Sequence, residues 1–483
     1  MGLGRVIPEP VRRGLEELLG DDRFFTATAA REAYAWDNTG YRHLPDAVAL
    51  ARSEEEVRAI LRLCLEYRVG VTPRGAGTGN VGGALPVQGG LVLSTQQMNR
   101  IIEISTDDRY VVVESGVVNG DLQKRLESLG LFWPPDPSSA RSCTIGGNIA
   151  MCSAGPGAVR WGVTRDWVLG LDAVLMDGTK IRTGGRTTKG VVGLDLTRLL
   201  VGSEGTLGVV TRAILKLAPI PEERLLSRLS FSSVEAAAVA VNRLLSGRQV
   251  PSAIEFLDHS ALDLLRRETA LTLHPEARAM LLLEVAGAAA GLRQQVAEML
   301  REIETLHPLE CTTPVTGEAA AAVWAARSAL SPILKKLAPK RINEDVVVPV
   351  SRLPSLMAGL AGISAESGIP IVNFGHAGNG NIHVNLLVDP ADRAVMDRVC
   401  GVLDRVFRLV LDLDGSLSGE HGVGIQKQAY IAWELDEGSL RLQREIKRIF
   451  DPSGLLNPGK VWPPCLKRGE KNAAPIDKPV NHQ

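Results

Sequence analysis

Glycine is concentrated in a few short segments of this 483-residue chain, and these segments are where its backbone could come closest to a ligand. Because glycine has no Cβ, neighbouring glycines let backbone N–H groups converge on a bound group without obstruction. Glycines and small residues cluster at predicted strand ends in three segments, RGAGTGNVGG (74–83), PPDPSSARSCTIGGNIAMCSAGP (134–156) and GSEGTLGVV (202–210). We therefore expect these segments to be loops that lie close to a ligand.

The first half of the chain is rich in strand patterns and has few helices between them. A helix is predicted over 53–67, where Ser53 and Glu56 form a capping box, and another over 119–129. Strands are predicted at 90–95, 109–117 and 208–217, with a hairpin at 171–184 whose Asp177-Gly178 pair is typical of a type I′ turn. This clustering of strands predicts an α+β fold rather than a doubly wound parallel sheet.

The proline-rich stretch LAPIPEER (217–224) marks a predicted domain boundary. A length of 483 residues favours two or three domains of roughly 150 residues each. Beyond the boundary, strands are predicted near 226–231 and 253–257, and helices near 233–245, 317–330 and 351–367. Helical spacing also gives one further helix an apolar face, made of Val399, Val402, Leu403, Val406, Phe407 and Val410.

Charge and cysteine content exclude several classes of protein. The net charge of −1 gives no basic surface of the kind that nucleic-acid binding requires. The six cysteines are scattered without a CxxC pair, so neither a disulfide framework nor an iron–sulfur site is predicted. No secretory signal and no run of 18 apolar residues occurs, so we expect a cytoplasmic protein that reaches a membrane only through a partner.

The loop at 74–83 contains a GxGxxG pattern formed by Gly77, Gly79 and Gly82, with Glu103 about twenty residues further on. A dinucleotide-binding βαβ unit requires the third glycine to open a helix. Here Gly83-Ala84-Leu85-Pro86 follows, and no helix is predicted, so that interpretation is rejected. A phosphate cradle and a flexible surface loop both remain compatible with this segment taken alone.

Two of the eight histidines flank one tight turn in FGHAGNGNIHVN (374–385). If Asn379-Gly380 is a two-residue hairpin turn, His376 lies directly opposite His383, and Asn385 shares their face. Opposed residues have Cβ atoms roughly 4.5–5.5 Å apart, which would let two imidazoles reach one metal ion. A hydrogen-bonded structural pair is the alternative.

A second candidate loop, SGEHGVG (418–424), places Glu420 and His421 between glycines. Two histidines and one carboxylate form the ligand set of zinc or manganese sites that keep coordination positions open. The alternative is a solvated loop, which explains poorly why a charged pair stands among so many glycines.

Taken together, the glycine segments resemble the PCMH-type FAD-binding domain of the vanillyl-alcohol oxidase family, and the resemblance extends over nearly the whole chain. It is closest to the D-2-hydroxyacid dehydrogenase branch, which includes the catalytic subunit of glycolate oxidase and D-lactate dehydrogenase. The resemblance implies an α+β substrate domain with an antiparallel sheet beside the FAD-binding domain. The implied limits are an N-terminal helical segment 1–42, the FAD-binding domain 43–222, the substrate domain 223–415, a segment 416–465 that returns to the FAD-binding domain, and a flexible tail 466–483.

The resemblance also implies which residues bind FAD. The pyrophosphate is expected on the loop comprising Pro73, Arg74, Gly75, Ala76, Gly77, Thr78, Gly79, Asn80 and Gly82. The remaining FAD-binding residues are expected to be Pro135, Asp136, Thr144, Gly146, Gly147, Asn148, Ser153, Gly155, Glu204, Gly205, Leu207, Gly208, Val209 and Asn457.

Two departures from the family pattern affect this prediction. Thr78 stands where some relatives carry a histidine that binds flavin covalently, so non-covalent FAD is expected. Pro156 stands where relatives often have glycine, and proline removes a backbone N–H that could contact the flavin.

For the substrate site, the resemblance implies a divalent metal, zinc or manganese, held by His376, His383 and Glu420. His421 is then the general base and Asn385 a hydrogen-bonding partner of the substrate. Arg327 and Lys340 are the expected anchors of a substrate carboxylate, since guanidinium groups bind carboxylates through paired hydrogen bonds. Without the resemblance, Arg327 would be interpreted as a surface arginine of an alanine-rich helix.

The expected activity is FAD-dependent oxidation of a D-2-hydroxy acid to the 2-oxo acid, with D-lactate or glycolate the first candidates and D-2-hydroxyglutarate the alternative. Electrons are expected to pass to a quinone, an electron-transfer flavoprotein or a separate iron–sulfur subunit. A homodimer is considered for the oligomeric state. Two other classes of function remain open, namely a non-catalytic FAD-binding subunit and a metal hydrolase that uses the same histidines.

Overall fold

A computed structural model of the chain describes residues 7–463. Its helices, numbered along the chain, are α1 (Glu9–Leu19), α2 (Thr28–Glu32), α3 (Glu54–Glu66), α4 (Asn119–Glu127), α5 (Ile145–Met151), α6 (Ala158–Trp161), α7 (Leu196–Leu200), α8 (Val234–Ser246), α9 (His259–Glu268), α10 (Ala289–Ile303), α11 (Gly317–Leu337), α12 (Leu353–Ser367), α13 (Arg393–Asp412), α14 (Ile431–Glu434) and α15 (Glu437–Phe450).

The strands are β1 (Phe24–Phe25), β2 (Ala47–Leu50), β3 (Val71–Arg74), β4 (Leu91–Ser94), β5 (Ile101–Ser105), β6 (Tyr110–Glu114), β7 (Leu131–Phe132), β8 (Val168–Val174), β9 (Lys180–Gly184), β10 (Val209–Lys216), β11 (Ala218–Pro219), β12 (Glu223–Phe231), β13 (Ala253–Asp258), β14 (Ala279–Gly287), β15 (Glu310–Cys311), β16 (Lys340–Val347), β17 (Ile371–Gly375) and β18 (Asn381–Val388).

The chain forms two compact units. Among the described residues, unit 1 comprises 7–153, 163–220 and 420–463, and unit 2 comprises 154–162 and 221–419. The sequence predicted a division after residue 222 and a return to the first domain at residue 416. The predicted flexible tail, 466–483, lies outside the described residues.

Unit 1 contains two main sheets. A four-stranded sheet has the order β1-β2-β4-β3, in which β2, β4 and β3 are parallel. A five-stranded antiparallel sheet has the order β5-β6-β10-β8-β9. Helices α1 and α3 contribute their apolar sides to one core with the first sheet, through buried residues that include Val11, Leu15, Val57, Ile60, Leu61, Leu91 and Leu93.

Unit 2 is organised around a seven-stranded sheet with the order β15-β12-β14-β13-β17-β18-β16, in which every pairing is antiparallel. Helices α9 and α11 pack on one face of this sheet, where Leu257, Leu282, Leu330 and Phe374 belong to one buried cluster. The prediction of an α+β fold with an antiparallel sheet in the second domain is confirmed.

The histidine hairpin has a different register from the predicted one. Phe374 pairs with His383, and Val372 pairs with Asn385, so His376 lies beyond the end of β17 rather than opposite His383. The turn contains a 3₁₀ turn at Ala377–Asn379 that ends at Gly380, with φ of 73°. A type I′ turn requires two left-handed residues, whereas here glycine alone takes that conformation, and the prediction of a two-residue turn is wrong.

The hairpin predicted at 171–184 is confirmed, but its turn also differs. Val174 pairs with Lys180, which leaves a longer connection than the predicted Asp177-Gly178 pair. Gly178 has φ of 77°, and Asp177 is absent from the left-handed residues. In both hairpins the left-handed position falls on the glycine, because asparagine and aspartate adopt that region at a cost that glycine avoids.

Among residues 7–463, no helix combines the length and the apolar character that crossing a lipid bilayer requires.

Gly380 offers a test of the hairpin geometry. A Cβ at Gly380 would lie 1.9 Å from the carbonyl oxygen of Val348, and its φ of 73° is left-handed. Gly368, at the end of α12, has φ of 68° but nothing within 4 Å of a Cβ. We expect Gly368→Ala to cost about 1–2 kcal/mol through its backbone conformation alone, and Gly380→Ala to cost clearly more because a backbone clash is added. Denaturant unfolding of both variants measures the difference, and equal losses would contradict the described turn.

Candidate active site

The glycine loop after β3 is folded tightly against the start of α5, within unit 1. A Cβ at Gly75 would lie 2.3 Å from Oγ1 of Thr144, and one at Gly77 would lie 2.1 Å from Nη2 of Arg74. At Gly79, in contrast, nothing lies within 4 Å of the Cβ position. The loop therefore presents open backbone at Gly79 on a tightly packed base, which fits the approach of an extended anionic cofactor such as FAD.

Arg74 supports this loop from within. Its guanidinium donates to the carbonyl oxygens of Trp36 at 2.7 Å and Ala84 at 3.4 Å, and it lies over the ring of Tyr34. Burial lowers the pKa of Arg74. Arg74 was predicted to bind the pyrophosphate, and that contact stays a prediction. The described contacts show that its side chain stabilises the conformation of the loop.

The other predicted flavin-binding segments of unit 1 contact one another. The backbone N–H of Gly202 donates to Ile149, and that of Glu204 donates to Ala150, at 2.9 and 2.8 Å. Nδ2 of Asn457 donates to the carbonyl oxygens of Glu204 at 2.7 Å and Gly83 at 3.0 Å. Segments from four distant parts of the sequence thus meet in unit 1, as a single cofactor site would require.

The remaining predicted FAD-binding residues have these positions. Pro73 ends β3 together with Arg74, Thr144 caps α5 and accepts a hydrogen bond from the backbone of Gly147, and Gly146 and Asn148 lie in α5. Pro135 and Asp136 follow β7, Ser153 follows α5, and Gly205, Leu207 and Gly208 lead into Val209 at the start of β10. Gly155 belongs to unit 2. Flavin contacts by these residues stay predictions.

Glu204 has a structural role that the sequence did not predict, since it binds the loop that carries His421. Glu204 is buried, and its carboxylate accepts hydrogen bonds from the backbone N–H groups of Val423 at 2.7 Å and Gly424 at 2.8 Å. A Cβ at Gly422, which has φ of 86°, would lie 2.8 Å from Oε1 of Glu204. The Glu204 carboxylate therefore holds the SGEHGVG loop through its backbone.

Burial shifts the pKa values of two neighbouring groups in this region, Glu204 and Lys460. It raises the pKa of Glu204, and the N–H groups of Val423 and Gly424 and the nearby lysines act in the opposite direction. It lowers the pKa of Lys460 to about 8, against the attraction of Glu204 and Asp37. The Nζ group of Lys460 also donates to Oδ1 of Asn457 at 3.1 Å.

His421, the predicted general base, lies beside the glycine loop. Nδ2 of Asn80 is 3.1 Å from Nε2 of His421, and Oδ1 of Asn80 accepts from Nδ2 of Asn38. An amide nitrogen can only donate, so Nε2 of His421 is the acceptor and carries the lone pair that a general base needs. One loop of unit 1 thus contacts His421 and contains the predicted pyrophosphate site.

In unit 2, one buried carboxylate joins two of the predicted site residues. Glu255 in β13 is fully buried, and its Oε1 lies 2.5 Å from Nδ1 of His376. Its Oε2 accepts from Nε of Arg327 at 2.8 Å and from Nη2 at 2.6 Å. Arg327 is a buried residue, and its guanidinium lies 4.6 Å from the ring centroid of Phe374.

The charge of Glu255 is well defined. Burial acts to raise its pKa, but the attraction of His376 and Arg327 outweighs burial and holds that pKa low, at about 2. At neutral pH, Glu255 is therefore a carboxylate that can only accept hydrogen bonds. Nδ1 of His376 must consequently carry a proton, which it donates to Oε1.

His383 has a similar neighbour. The rings of His376 and His383 lie edge to face, with centroids 5.2 Å apart. Nδ1 of His383 is 3.8 Å from Oδ1 of the fully buried Asp345, which is too long for a hydrogen bond. Within unit 2, His383 therefore lies next to the imidazole of His376 and near a second buried carboxylate, and imidazole and carboxylate are ligand types that zinc and manganese accept.

The pairing of β16 with β18 determines which side chains accompany the histidines. Asp345 pairs with His383, and Asn343 pairs with Asn385, so all four share one face of the sheet. By alternation Arg341 shares that face, where its Nη1 donates to Oγ of Ser331 in α11 at 3.3 Å. Lys340, the predicted carboxylate anchor, lies on the opposite face of β16, whereas Arg341 lies on the face that carries His383.

Asn385 is fully buried and already engaged. Its Nδ2 donates to the carbonyl oxygens of Val372 and His383, each at 3.0 Å, and its Oδ1 accepts from Nδ2 of Asn343 at 2.7 Å. A direct hydrogen bond from Asn385 to a substrate stays a prediction. Glu420 belongs to unit 1, together with His421, and its ligation with the two histidines likewise stays a prediction.

Sequence reasoning missed Glu255, Asp345 and Arg341. Alternation in RINEDVV would have placed Arg341, Asn343 and Asp345 on one face, had that strand been recognised. Glu255 gave a weaker signal, a single charged residue between Ile254 and Phe256 in a predicted strand.

Comparisons with known proteins agree with this architecture. The family described as FAD binding domain matches residues 45–184, and the family described as FAD linked oxidases, C-terminal domain, matches residues 220–461. The crystal structure of p-cresol methylhydroxylase with substrate bound has a TM-score of 0.79, covers 93% of this chain and 96% of that chain, and at 18% identity shows likeness of fold alone.

Two relatives are similar in sequence over nearly their whole length. Glycolate oxidase subunit GlcD of Bacillus subtilis is 38% identical over 458 residues, which cover 95% of this chain and 97% of the relative. A probable mitochondrial D-lactate dehydrogenase of Danio rerio is 33% identical over 459 residues, which cover 94% of this chain and 92% of the relative. The chain thus belongs to the FAD-linked oxidase family and is an FAD-linked oxidoreductase.

Proposed function

We propose that the chain oxidises a D-2-hydroxy acid, D-lactate or glycolate, to the corresponding 2-oxo acid. The main support is the arrangement in unit 2, where Glu255 joins His376 to the Arg327 guanidinium and the ring of His383 packs edge to face on that of His376. Such a face offers groups that bind a metal and groups that bind a carboxylate. The names of the relatives, a glycolate oxidase subunit and a D-lactate dehydrogenase, point to the same class of substrate.

The residues of unit 1 would hold FAD non-covalently. The loop of Gly75 to Gly82 offers open backbone at Gly79, and the segments around Thr144, Glu204 and Asn457 contact one another. When bound, FAD would accept the hydride from C2 of the substrate, while a zinc or manganese ion would act as a Lewis acid that lowers the pKa of the 2-hydroxyl group. His376, His383 and Glu420 are the proposed ligands, and the chemistry of this donor set fits either metal.

The chain's own residues have these proposed roles. His421 accepts the hydroxyl proton at Nε2, the atom that Asn80 contacts at 3.1 Å in the described structure. Arg327 binds the substrate carboxylate. Its Nε and Nη2 groups donate to Glu255, which fixes the plane of the guanidinium and so orients it for a second carboxylate. Asn385 orients the strand that carries His383 and remains a candidate for a substrate hydrogen bond.

D-2-hydroxyglutarate is the second candidate substrate, because of Arg341. A second carboxylate on the substrate would require a second cation, and Arg341 lies on the face that carries His383 and Asn385. Burial lowers the pKa of Arg341, so an anionic partner would stabilise its charge. Arg341 replaces Lys340 in this role.

Electrons must leave the reduced flavin for an external acceptor. The sequence contains no CxxC motif that would indicate an iron–sulfur cluster within the chain. We propose a quinone, an electron-transfer flavoprotein or an iron–sulfur subunit as the acceptor, with a cytoplasmic location and membrane contact only through that partner.

The proposed activity predicts stereospecific reduction of the bound flavin. Under anaerobic conditions, D-lactate or glycolate is expected to bleach the flavin absorbance, whereas L-lactate is not. Prior removal of metal by a chelator is expected to slow bleaching strongly, and added zinc or manganese should restore it. Stopped-flow absorbance spectroscopy provides the rates.

Each alternative gives a different result in this experiment. A flavin left unreduced by every D-2-hydroxy acid would favour a non-catalytic FAD-binding subunit. Bleaching at an unchanged rate after complete removal of metal would reject the Lewis-acid role. Faster bleaching by D-2-hydroxyglutarate than by D-lactate would favour the second substrate.

Replacing the proposed general base tests the proton transfer. In His421→Gln, the amide oxygen can still accept from Asn80, but the base is lost, so the rate of flavin reduction is expected to fall by about 10²–10⁴-fold. FAD content should remain that of the wild type. His43→Gln, which changes a half-buried histidine of unit 1 with no proposed role, is the control. A wild-type rate in His421→Gln would remove this residue from the mechanism.

Glu204→Gln tests whether Glu204 holds the His421 loop. Glutamine has one acceptor oxygen for two backbone N–H groups, and a buried unpaired N–H costs roughly 1–3 kcal/mol. We expect faster amide hydrogen exchange at 421–425 and slower flavin reduction. Glu114→Gln is the matched control, because Glu114 is another buried glutamate of unit 1 and accepts the backbone N–H of Arg100 at 2.9 Å. Unchanged exchange in Glu204→Gln would show that the loop does not depend on this carboxylate.

A further inference from the structure

We propose that Glu255 is a positioning residue that sets the tautomer of His376 and the orientation of Arg327, and thereby determines how tightly the site binds a divalent cation. This inference rests on the proposed function, because it takes His376 as a metal ligand. It assigns a role to a residue that the sequence patterns did not mark.

The geometry of Glu255 divides its two oxygens between two partners. Oε1 lies 2.5 Å from Nδ1 of His376, and Oε2 accepts from Nε and Nη2 of Arg327 at 2.8 and 2.6 Å. Glu255 lies in the interior strand β13, next to β14 and β17, and none of it is exposed. The strand pairing of β13 therefore fixes the backbone position of Glu255, and the contacts with His376 and Arg327 fix its two oxygens.

The contact with His376 is more than charge neutralisation requires. Arg327 alone balances the single negative charge of Glu255, and His376 adds the hydrogen-bond donor that the other oxygen of this buried carboxylate requires. The bond to Nδ1 does have a consequence for the imidazole, since it keeps the proton on Nδ1 and leaves the Nε2 lone pair for a metal ion. Histidine ligands in metal sites commonly donate their other ring nitrogen to a carboxylate in this way.

Arg327 is fixed by the same carboxylate and by an aromatic ring. Its guanidinium lies 4.6 Å from the centroid of Phe374, whose strand neighbour across the sheet is His383. Glu255 thus restrains a proposed metal ligand and a proposed substrate anchor at once. A change at Glu255 is expected to affect metal affinity and substrate KM together, whereas a change confined to packing would affect neither selectively.

Glu255→Gln tests the role with little change in volume. If the amide oxygen of Gln faces Arg327, its NH₂ group faces Nδ1 of His376 and forces the histidine proton onto Nε2, the atom proposed to bind metal. We expect the dissociation constant for Zn²⁺ to rise about 10–100-fold, the range seen when such supporting partners are removed. Competition of the purified flavoprotein with a chromophoric chelator measures it, with Mn²⁺ as a second probe.

Asp258→Asn is the matched control. Asp258 is a buried acid on the same strand, but its oxygens accept from the backbone N–H groups of Ala261 and Asn373 at 2.8 and 2.7 Å. This variant is expected to keep the wild-type Zn²⁺ affinity. Flavin absorbance and the thermal midpoint show whether each variant is folded.

The outcomes separate the inference from the proposed function. Wild-type Zn²⁺ affinity in folded Glu255→Gln overturns the inference alone, and the metal-assisted function stands. A wild-type protein that binds neither Zn²⁺ nor Mn²⁺ rejects the metal part of the proposed function and the inference with it. A loss of affinity in Glu255→Gln, absent from Asp258→Asn, supports both.

A measurement on the wild-type protein decides the matter even if Glu255→Gln does not fold. Long-range ¹⁵N–¹H spectra of protein labelled at histidine report the tautomer of each imidazole, and comparison with His376→Gln assigns the signal. The inference requires the metal-free His376 to carry its proton on Nδ1. A neutral His376 protonated on Nε2 would overturn it.

Discussion

The register of the antiparallel sheet in unit 2 determines which polar side chains share its covered face. Residues from four strands share one side because they pair in series: Phe374 lies opposite both Leu257 and His383, and His383 also lies opposite Asp345. A shift of one residue in any of these pairings would send the polar side chains to the opposite face. The cluster of histidines, carboxylates and arginines is therefore a consequence of strand pairing. Helix α11, which packs on this face, contributes Arg327.

Burying so much charge restricts the sequence strongly, since an unpaired buried ion costs several kcal/mol. Glu255 is stabilised by Arg327 and His376, and Glu204 by two backbone N–H groups. Each glutamate thus joins segments distant in sequence, over 121 residues between Glu255 and His376 and 219 residues between Glu204 and Val423. Removing one partner would leave the other charged or polar group unsatisfied, so these positions tolerate little substitution.

Much of the fold follows from local patterns, because periodicity and capping act over a few residues. The apolar face predicted from Val399 to Val410 coincides with the buried residues of α13, and Ser53 caps α3 as expected. Turn geometry was less predictable. Both Asn379-Gly380 and Asp177-Gly178 favoured type I′ turns, yet each hairpin closes with a longer turn. In each turn the glycine of this pair is left-handed and its neighbour is not, because glycine adopts that conformation without strain.

The same limit explains the mixed outcome for the site. Glycine loops and paired histidines can be recognised in a sequence because their chemistry is local, so the family and the loops of unit 1 were predictable. Glu255 and Arg341 were not, since their roles depend on partners far along the chain and on strand alternation, which gave Lys340 and Arg341 opposite faces. A buried acid within an apolar strand is therefore a signal of its own. Because such a carboxylate is stable only with a partner, its presence at Glu255 implies a cation or a proton donor on a neighbouring element, and the structure supplies both in Arg327 and His376.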